Sequence, residues 1–150
     1  MKVVLQRVKS ARIVINESEE RRTGQGLFLL VGVTDTDTEE DARLLAKKCG
    51  ELRIFEDGEG KMNLSANDLG LEALVVSNFT LYADTRKGRR PSFVRAARPP
   101  LAEELYQAFL EAVRGQGFSR VESGEFGAYM EITSVNDGPV TILLDSADWH

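Results

Sequence analysis

The sequence predicts a single domain of mixed α/β class, spanning residues 1–150. Its length of 150 residues is close to the commonest domain size. About eight short segments have the residue pattern of strands, while only two have the periodicity of a substantial helix. The strands do not alternate regularly with helices, which argues against a doubly wound parallel sheet. No repeat or Pro/Gly/Ser linker divides the chain.

β-branched residues mark the first strands. Lys2–Val8 and Ala11–Asn16 both alternate apolar and polar positions, and we expect two strands that pair with each other. Glu17–Arg22 is highly charged and predicts a loop. Leu27–Val33 is a continuous apolar run, which is typical of a buried strand.

The first substantial helix is predicted to begin after Thr38, because Thr38 and Asp41 approximate a capping box. Apolar residues then recur at helical spacing, at Ala42, Leu45, Ala46 and Cys49. Cys49 is the only cysteine and is expected to be a buried helix residue rather than a nucleophile, since no partner for a thiolate is visible.

The middle of the chain predicts shorter elements and the second helix. Arg53–Phe55 is expected to be a short strand, and the acidic segment Glu56–Gly60 a solvated hairpin tip rather than a calcium loop. Leu74–Phe79 predicts a buried strand. Pro99–Pro100 precede a strongly amphipathic helix that ends near Gly115.

The tail returns to strands. Tyr129–Val135 and Val140–Leu144 are both apolar-rich, and Asn136–Pro139 between them predicts a turn.

Composition excludes several classes of function. The chain has one histidine, His150, and one cysteine, so a Ser-His-Asp triad, a histidine acid/base pair, a metal site and an internal disulfide are not expected, and no cofactor is indicated. No run of 18 apolar residues is present, and no membrane partner is expected. We expect a cytoplasmic protein, because a single thiol fits a reducing compartment.

Charge is distributed unevenly along the chain, which carries a net charge of −5. Residues 85–98 hold six basic side chains and no acid: Arg86, Lys87, Arg89, Arg90, Arg95 and Arg98. Arginine favours forked contacts to phosphate, and Phe93 in the same segment could stack on a base. The alternative is a solvated loop or a surface that pairs with the chain's own acids. The segment therefore indicates an anionic partner without identifying it.

Two further segments carry polar groups. Ser77–Leu81 brings hydroxyls and an amide to the end of a predicted strand, where they could orient a carbonyl or help to form an oxyanion hole. Thr80 lacks a histidine base, and the alternative is a strand end that satisfies local backbone. Asn136–Thr141 contains Gly138–Pro139, which is usually a turn, but which could present two backbone carbonyls on one side if its bond were cis.

Together these features resemble the D-aminoacyl-tRNA deacylase family, also called D-tyrosyl-tRNA deacylases. The similarity covers essentially the whole chain, including its opening residues 1–8 and the loop that contains Arg90–Phe93. The two signature motifs are Ser77–Leu81 and Asn136–Thr141. The family usually has glutamine where this chain has Asn78.

The resemblance implies a curved, largely antiparallel or mixed sheet, or half-barrel, packed with two main helices in a homodimer. It implies hydrolysis of the ester of D-aminoacyl-tRNA, and of glycine mischarged on tRNA-Ala, as a proofreading step that spares L-aminoacyl-tRNA. Each Gly138–Pro139 motif, with a cis bond, would enter the partner's pocket, where its carbonyls would collide with an L side chain. The partners implied are the aminoacylated 3′ end of tRNA and a second copy of the chain.

The resemblance also assigns roles to residues. Ser77, Asn78, Phe79 and Thr80 would form the catalytic segment, with backbone N–H groups near Phe79 and Thr80 holding the ester carbonyl. Arg7 would brace the Gly-Pro motif. The remaining assigned residues belong to the pocket and its support (Phe126, Met130, Asn136, Thr141) and to the tRNA-binding loop (Arg86, Lys87, Arg89, Arg90, Phe93).

Two mechanisms stay open at this point. Family resemblance favours assistance by the RNA's own 2′-OH with a positioning role for Thr80, and the rival is Thr80 as a nucleophile. A non-catalytic nucleic-acid-binding dimer of the same fold is the alternative function.

Overall fold

The computed structural model of the protein describes residues 1–150, which form eight strands, two long helices and one short helix. The strands are β1 (Lys2–Ile15), β2 (Glu19–Thr23), β3 (Gly26–Gly32), β4 (Phe55–Glu56), β5 (Met62–Leu64), β6 (Glu72–Ser77), β7 (Arg120–Ser123) and β8 (Met130–Asp145). The helices are α1 (Glu39–Glu51), α2 (Ala66–Leu69) and α3 (Leu101–Arg114). No helix combines the length and the apolar character needed to cross a membrane.

Six of the strands form one mixed, strongly curved sheet. Its order is β2-β1-β3-β6-β7, and β8 also pairs with β1. β1 runs antiparallel to β2, β3 and β8, whereas β3–β6 and β6–β7 are parallel pairs. The mixed α/β class with a curved sheet and two main helices is therefore confirmed.

The two faces of β3 contribute to different hydrophobic cores. Leu27 and Leu29 are fully buried in the larger core, which α1 and α3 cover with residues such as Leu45 and Phe109. Phe28 points to the opposite face and joins a smaller core. The other members of that core are Val8, Ala11, Ile13, Ile15, Leu74 and Val76. Burial on both faces explains why this segment is a continuous apolar run.

β1 differs from the sequence expectation of two paired strands over Lys2–Val8 and Ala11–Asn16. The two segments form one strand whose register on β8 shifts between Gln6 and Ser10. The first half pairs with β3 and the second half with β2, so the strand bends across the sheet. The bend lets its second half cover the smaller core, because a bulge increases local twist and curvature.

The charged segment predicted as a loop over Glu17–Arg22 contains β2. Asn16 and Glu17 both have positive φ, the pattern of a type I′ turn, and with Ser18 they form the three-residue connection from β1 to β2. The charges stabilise this hairpin through ion pairs, including the cross-strand pair of Arg12 on β1 with Glu20 on β2. The loop prediction was wrong because cross-strand charge pairs and the turn outweigh low strand propensity.

The predicted start of α1 is confirmed. Thr38 is the N-cap, and its hydroxyl accepts a hydrogen bond from the Asp41 N–H while the Asp41 carboxylate accepts one from the Thr38 N–H. Cys49 is buried on this helix, and burial raises the pKa of its thiol to about 12. A thiol in that environment stays protonated and unreactive near neutral pH.

The tail is one strand rather than two strands joined by a turn. β8 pairs with β1 at Asn136 opposite Val8 and at Thr141 opposite Gln6. The four intervening residues therefore oppose the single residue Arg7, as a wide bulge in a continuous strand. The turn prediction for Asn136–Pro139 was wrong because β1 continues past the bulge as a pairing partner.

Two shorter strands begin or end differently from the prediction. The expected strand at Arg53–Phe55 is β4 at Phe55–Glu56, and the acidic turn after it is a hairpin tip, as predicted. The expected strand at Leu74–Phe79 ends at Ser77, because Phe79–Tyr82 forms a 3₁₀ turn.

The close approach of β3 to β6 gives a test of the fold. A Cβ added at Gly26 would lie 1.8 Å from the Glu72 carbonyl oxygen, a backbone atom that cannot move without breaking the pairing. We expect Gly26→Ala to lower the free energy of unfolding by about 1–3 kcal/mol or more, measured by urea denaturation. The matched control is Gly58→Ala, since nothing lies within 4 Å of that site. Equal stability of both variants would contradict the observed packing.

Candidate active site

A cavity of about 450 Å³ lies where β6 ends. Its walls come from the ends of β3 and β6, the segment before α3, and the segment that leads into β8. The lining residues are Val33, Ser77, Asn78, Phe79, Phe93, Ala96, Ala97, Arg98, Pro99, Ala102, Phe126, Gly127, Ala128 and Met130. The alanine and glycine residues are small and leave the cavity open, and the aromatic rings provide flat apolar surfaces.

Asn78 organises the polar end of the cavity. Its backbone N–H donates to the Val31 carbonyl at 2.8 Å, which extends the β3–β6 pairing by one residue. Its side-chain oxygen, Oδ1, accepts from the Thr80 N–H at 3.2 Å and from the Thr80 hydroxyl at 2.5 Å. Asn78 therefore caps the 3₁₀ turn and fixes the orientation of Thr80.

These contacts bear on what Thr80 can do. Its hydroxyl donates to an amide oxygen, which is not a base near neutral pH, so nothing at this position would accept its proton during nucleophilic attack. Its N–H is also committed to Asn78. Of the two backbone N–H groups that the resemblance implies for a carbonyl, only that of Phe79 is available.

Two aromatic rings connect the cavity to the basic loop, which is the exposed segment between Asp84 and Ser92. Phe79 and Phe93 pack edge to face, with ring centroids 5.1 Å apart and an interplanar angle of 77°. Both rings are more than a third exposed, so they present surface as well as supporting each other.

The basic loop is closed at its base and open at its tip. Asp84 and Ser92 exchange backbone hydrogen bonds of 2.7 and 2.9 Å. Arg86 folds back onto Asp84 at 2.6 Å and, through that hydrogen bond, holds the pKa of the Asp84 carboxyl well below its usual range. The other basic residues near the tip, Lys87, Arg89 and Arg90, are exposed and have no ion-pair partner.

The Gly138–Pro139 motif lies outside this cavity. Its peptide bond is cis. Arg7 supports the segment by donating through Nε to the Asp137 carbonyl at 2.8 Å, and its Nη1 donates to the Ile54 carbonyl at 2.6 Å. The brace predicted for Arg7 therefore acts on the residue before the Gly-Pro pair.

Strand register gives the separation between the two motifs. Ser77 is opposite Val31, Val31 is opposite Val3, and β8 lies beyond Val3. The Gly138–Pro139 bulge is opposite Arg7, four residues farther along β1. Three strand spacings of about 4.8 Å and four residues of about 3.3 Å amount to about 20 Å across the sheet.

The structure thus divides the predicted site residues into three groups. Ser77, Asn78, Phe79, Phe93, Phe126 and Met130 line the cavity, and Thr80 is held beside it by Asn78. Arg86, Lys87, Arg89 and Arg90 lie on the adjoining loop. Arg7, Asn136, Gly138, Pro139 and Thr141 lie together around the β8 bulge, away from the cavity.

Sequence reasoning did not single out Arg98 or the small residues of the cavity wall. Arg98 belongs to the basic segment of residues 85–98, but only its position before the second helix could have indicated a different role from the loop tip.

The single histidine lies outside this cavity. Nε2 of His150 is 2.7 Å from Oδ1 of Asp41. Burial raises the pKa of Asp41, but hydrogen bonds from His150 and Thr38 outweigh that effect and lower the pKa to about 2.

Comparison with known proteins agrees with the geometry. Residues 4–145 match the family model described as D-Tyr-tRNA(Tyr) deacylase. A D-aminoacyl-tRNA deacylase from Geobacillus sp. (strain WCH70) is 53% identical over 148 residues, covering 99% of this chain and 97% of that protein. One from Chloroflexus aurantiacus is also 53% identical over 148 residues, covering 99% and 92%.

Two solved structures share the fold. A c-Myc DNA unwinding element binding protein superposes with a TM-score of 0.89 at 38% identity, covering 97% of this chain and 98% of that one. A probable eukaryotic D-amino acid tRNA deacylase superposes with a TM-score of 0.82 at 22% identity, covering 95% and 97%, which is evidence for the fold alone.

At the end of β6, polar groups face an aromatic pocket beside a cationic loop, and the curated relatives that share this chain's sequence are hydrolases. The chain belongs to the D-Tyr-tRNA(Tyr) deacylase family, and is a hydrolase of that class.

Proposed function

We propose that the protein hydrolyses the ester that joins a D-amino acid to the terminal adenosine of tRNA and spares the L-aminoacyl ester. Glycine mischarged on tRNA-Ala is a second substrate, because glycine has no side chain to be excluded. The observation that carries the proposal is the Asn78-capped turn at the end of an aromatic cavity next to the basic loop. In the cell this reaction is a proofreading step in translation.

The volume and the lining of the cavity support binding of the terminal nucleotide and its ester. Phe79, Phe93 and Phe126 offer apolar faces and edges to an adenine ring, and the alanines leave room for it. Lys87, Arg89 and Arg90 are exposed on the adjoining loop, and in this proposal they contact the preceding backbone of the acceptor strand. Their charges are not neutralised by the protein, so they are available to phosphates.

The reaction requires orientation more than a protein base. An aminoacyl ester is already reactive, and the vicinal ribose 2′-OH can assist the attack on its carbonyl. The Phe79 N–H would donate to the carbonyl oxygen as negative charge develops on it. Asn78 and Thr80 position this turn, and Thr80 takes no part as a nucleophile because its proton has no acceptor other than an amide.

Chiral selection, in this proposal, comes from the Gly138–Pro139 motif of a second copy of the chain. The motif of the same chain is about 20 Å from Ser77 across the sheet, too far to contact the same ester. Backbone carbonyls of the motif would collide with an L side chain at the α-carbon, whereas a D side chain would point away. Because the backbone carbonyls would contact only the α-carbon, we expect the protein to accept D-amino acids with many different side chains.

β8 offers a surface on which a second copy can pack. Its outer edge is unpaired over 16 residues, of which only Leu144 is buried. Leu143 is 75% exposed and Val135 is 50% exposed. An unpaired strand with exposed apolar side chains is a typical homodimer surface, and two-fold symmetry would bring each motif towards the other copy.

A binding protein without hydrolytic activity is the second candidate. It is favoured by the similarity to a c-Myc DNA unwinding element binding protein and by the free cations of the loop. Under this alternative the loop and cavity would retain a nucleic acid without cleaving an ester.

The central experiment compares matched D- and L-tyrosyl-tRNA, with glycyl-tRNA-Ala as a third substrate. We expect release of free amino acid from the D-tyrosyl and glycyl esters only, measured as loss of acid-precipitable labelled amino acid. Salt-sensitive binding of all three without release would favour the binding protein instead.

The roles of Asn78 and Thr80 predict a graded result. Asn78→Ala removes both contacts to Thr80 and is expected to lower kcat by about tenfold to a hundredfold, because the carbonyl donor is misplaced. Thr80→Ala is expected to retain measurable turnover. A trapped acyl-Thr80 in the wild type, or complete loss of turnover in Thr80→Ala with the fold intact, would contradict the positioning role of Thr80.

If the Gly-Pro motif of one subunit acts on the cavity of the other, two variants with different defects should complement each other in a mixed dimer. Asn78→Ala impairs the cavity but keeps the Gly-Pro motif, and Pro139→Ala alters the motif but keeps the cavity. After subunit exchange between the two variants, mixed dimers would contain one complete site, so D-selective turnover should exceed that of either parent. Selectivity no better than that of the parents, with exchange verified by mass spectrometry, would place the motif's action within its own chain.

A further inference from the structure

Arg98 is the only charged residue among the fourteen that line the cavity. The other lining residues are apolar or small, apart from Ser77 and Asn78. The environment of this single arginine beside an aromatic pocket differs from that of the loop tip, where several cations lie together in solvent.

The charge of Arg98 is unused within the protein. No carboxylate lies within 4 Å of its guanidinium, whereas Arg86 pairs with Asp84 at 2.6 Å. Arg95 lies over the ring of Tyr82, with 6.0 Å between its guanidinium carbon and the ring centroid. Arg98 is exposed and has no comparable contact.

The backbone that carries Arg98 is held at both sides. The Ala97 N–H donates to the Val33 carbonyl at 2.9 Å, which attaches the segment to the end of β3. The Arg98 carbonyl accepts from the Ala102 N–H at 3.1 Å at the start of α3. The side chain therefore extends from a fixed point, which lowers the entropy lost when it binds a ligand.

The chemistry of the pocket selects a ligand that has an aromatic ring and one nearby anion. Guanidinium binds phosphate oxygens through two parallel hydrogen bonds, and the aromatic walls take a base. We propose that Arg98 binds the phosphate on the 5′ side of the nucleotide whose base occupies the cavity. This inference rests on the proposed function, in which that nucleotide is the terminal adenosine of tRNA.

The proposal gives Arg98 a role separate from that of the loop tip. Lys87, Arg89 and Arg90 would contact the more distant backbone and contribute mainly general attraction. Arg98 would hold the nucleotide in the cavity, because the phosphate and the base are attached to the same sugar. It is a substrate-binding residue and does not act on the ester itself.

The test compares adenosine with adenosine 5′-monophosphate as probes, by isothermal titration calorimetry at constant ionic strength. The wild type should bind the monophosphate about tenfold or more tightly than adenosine, as expected for a hydrogen bond to a charged group. Arg98→Gln should abolish that preference and leave adenosine binding unchanged, and Arg98→Lys should retain part of it. Arg43→Gln is the matched control, because Arg43 is an exposed arginine on α1 that pairs with Glu39.

A preference for the monophosphate that persists in Arg98→Gln, or equal affinity of the wild type for both probes, would overturn the proposal. These measurements need no ester hydrolysis, so their outcome is independent of the deacylation assay. With aminoacyl-tRNA, Arg98→Gln should raise KM while kcat changes little, and should reduce the slope of log affinity against log salt by about one. An unchanged KM and slope would also contradict the role.

Discussion

The antiparallel pairing of β1 with β8 is the interaction on which the rest of the structure depends. β1 is the only strand that pairs with three others, and its bend allows one half to extend the sheet at β3 while the other half joins β2. β8 accompanies β1 through the bend, so the two strands together close the smaller core around Phe28 and Leu74. Without this curved pair, the apolar face of β3 and β6 opposite the helices would be exposed to water.

The same pairing determines where chemistry can occur. It leaves the end of β6 open, so that the Asn78 turn meets the segment before α3 and the start of β8 around one cavity. It also holds the Gly138–Pro139 bulge against Arg7, three strands away from Ser77. Under the proposed function, the cavity that would bind the ester and the motif that would select chirality lie on separate surfaces, and a second copy is the simplest means of combining them.

The sequence predicts the elements whose causes are local. The capping box at Thr38 and Asp41 and the apolar run of β3 follow from neighbouring residues, and both are observed. The bend in β1 and the continuation of β8 through its bulge depend on long-range pairing between residues more than 120 positions apart, which local pattern does not contain. For the site, motif residues identified the Asn78 turn, but the isolation of Arg98 in the cavity depends on which side chains surround it in three dimensions.

The claim that two copies complete each site is tested most directly by a crystal structure with a non-hydrolysable amide analogue of D-tyrosyl-adenosine. We expect the adenine to lie among the aromatic side chains of one copy, and the carbonyl oxygens of Gly138–Pro139 from the other copy to lie in van der Waals contact with the α-carbon of the ligand. A ligand bound in the cavity while both Gly138–Pro139 motifs remain in solvent would contradict it.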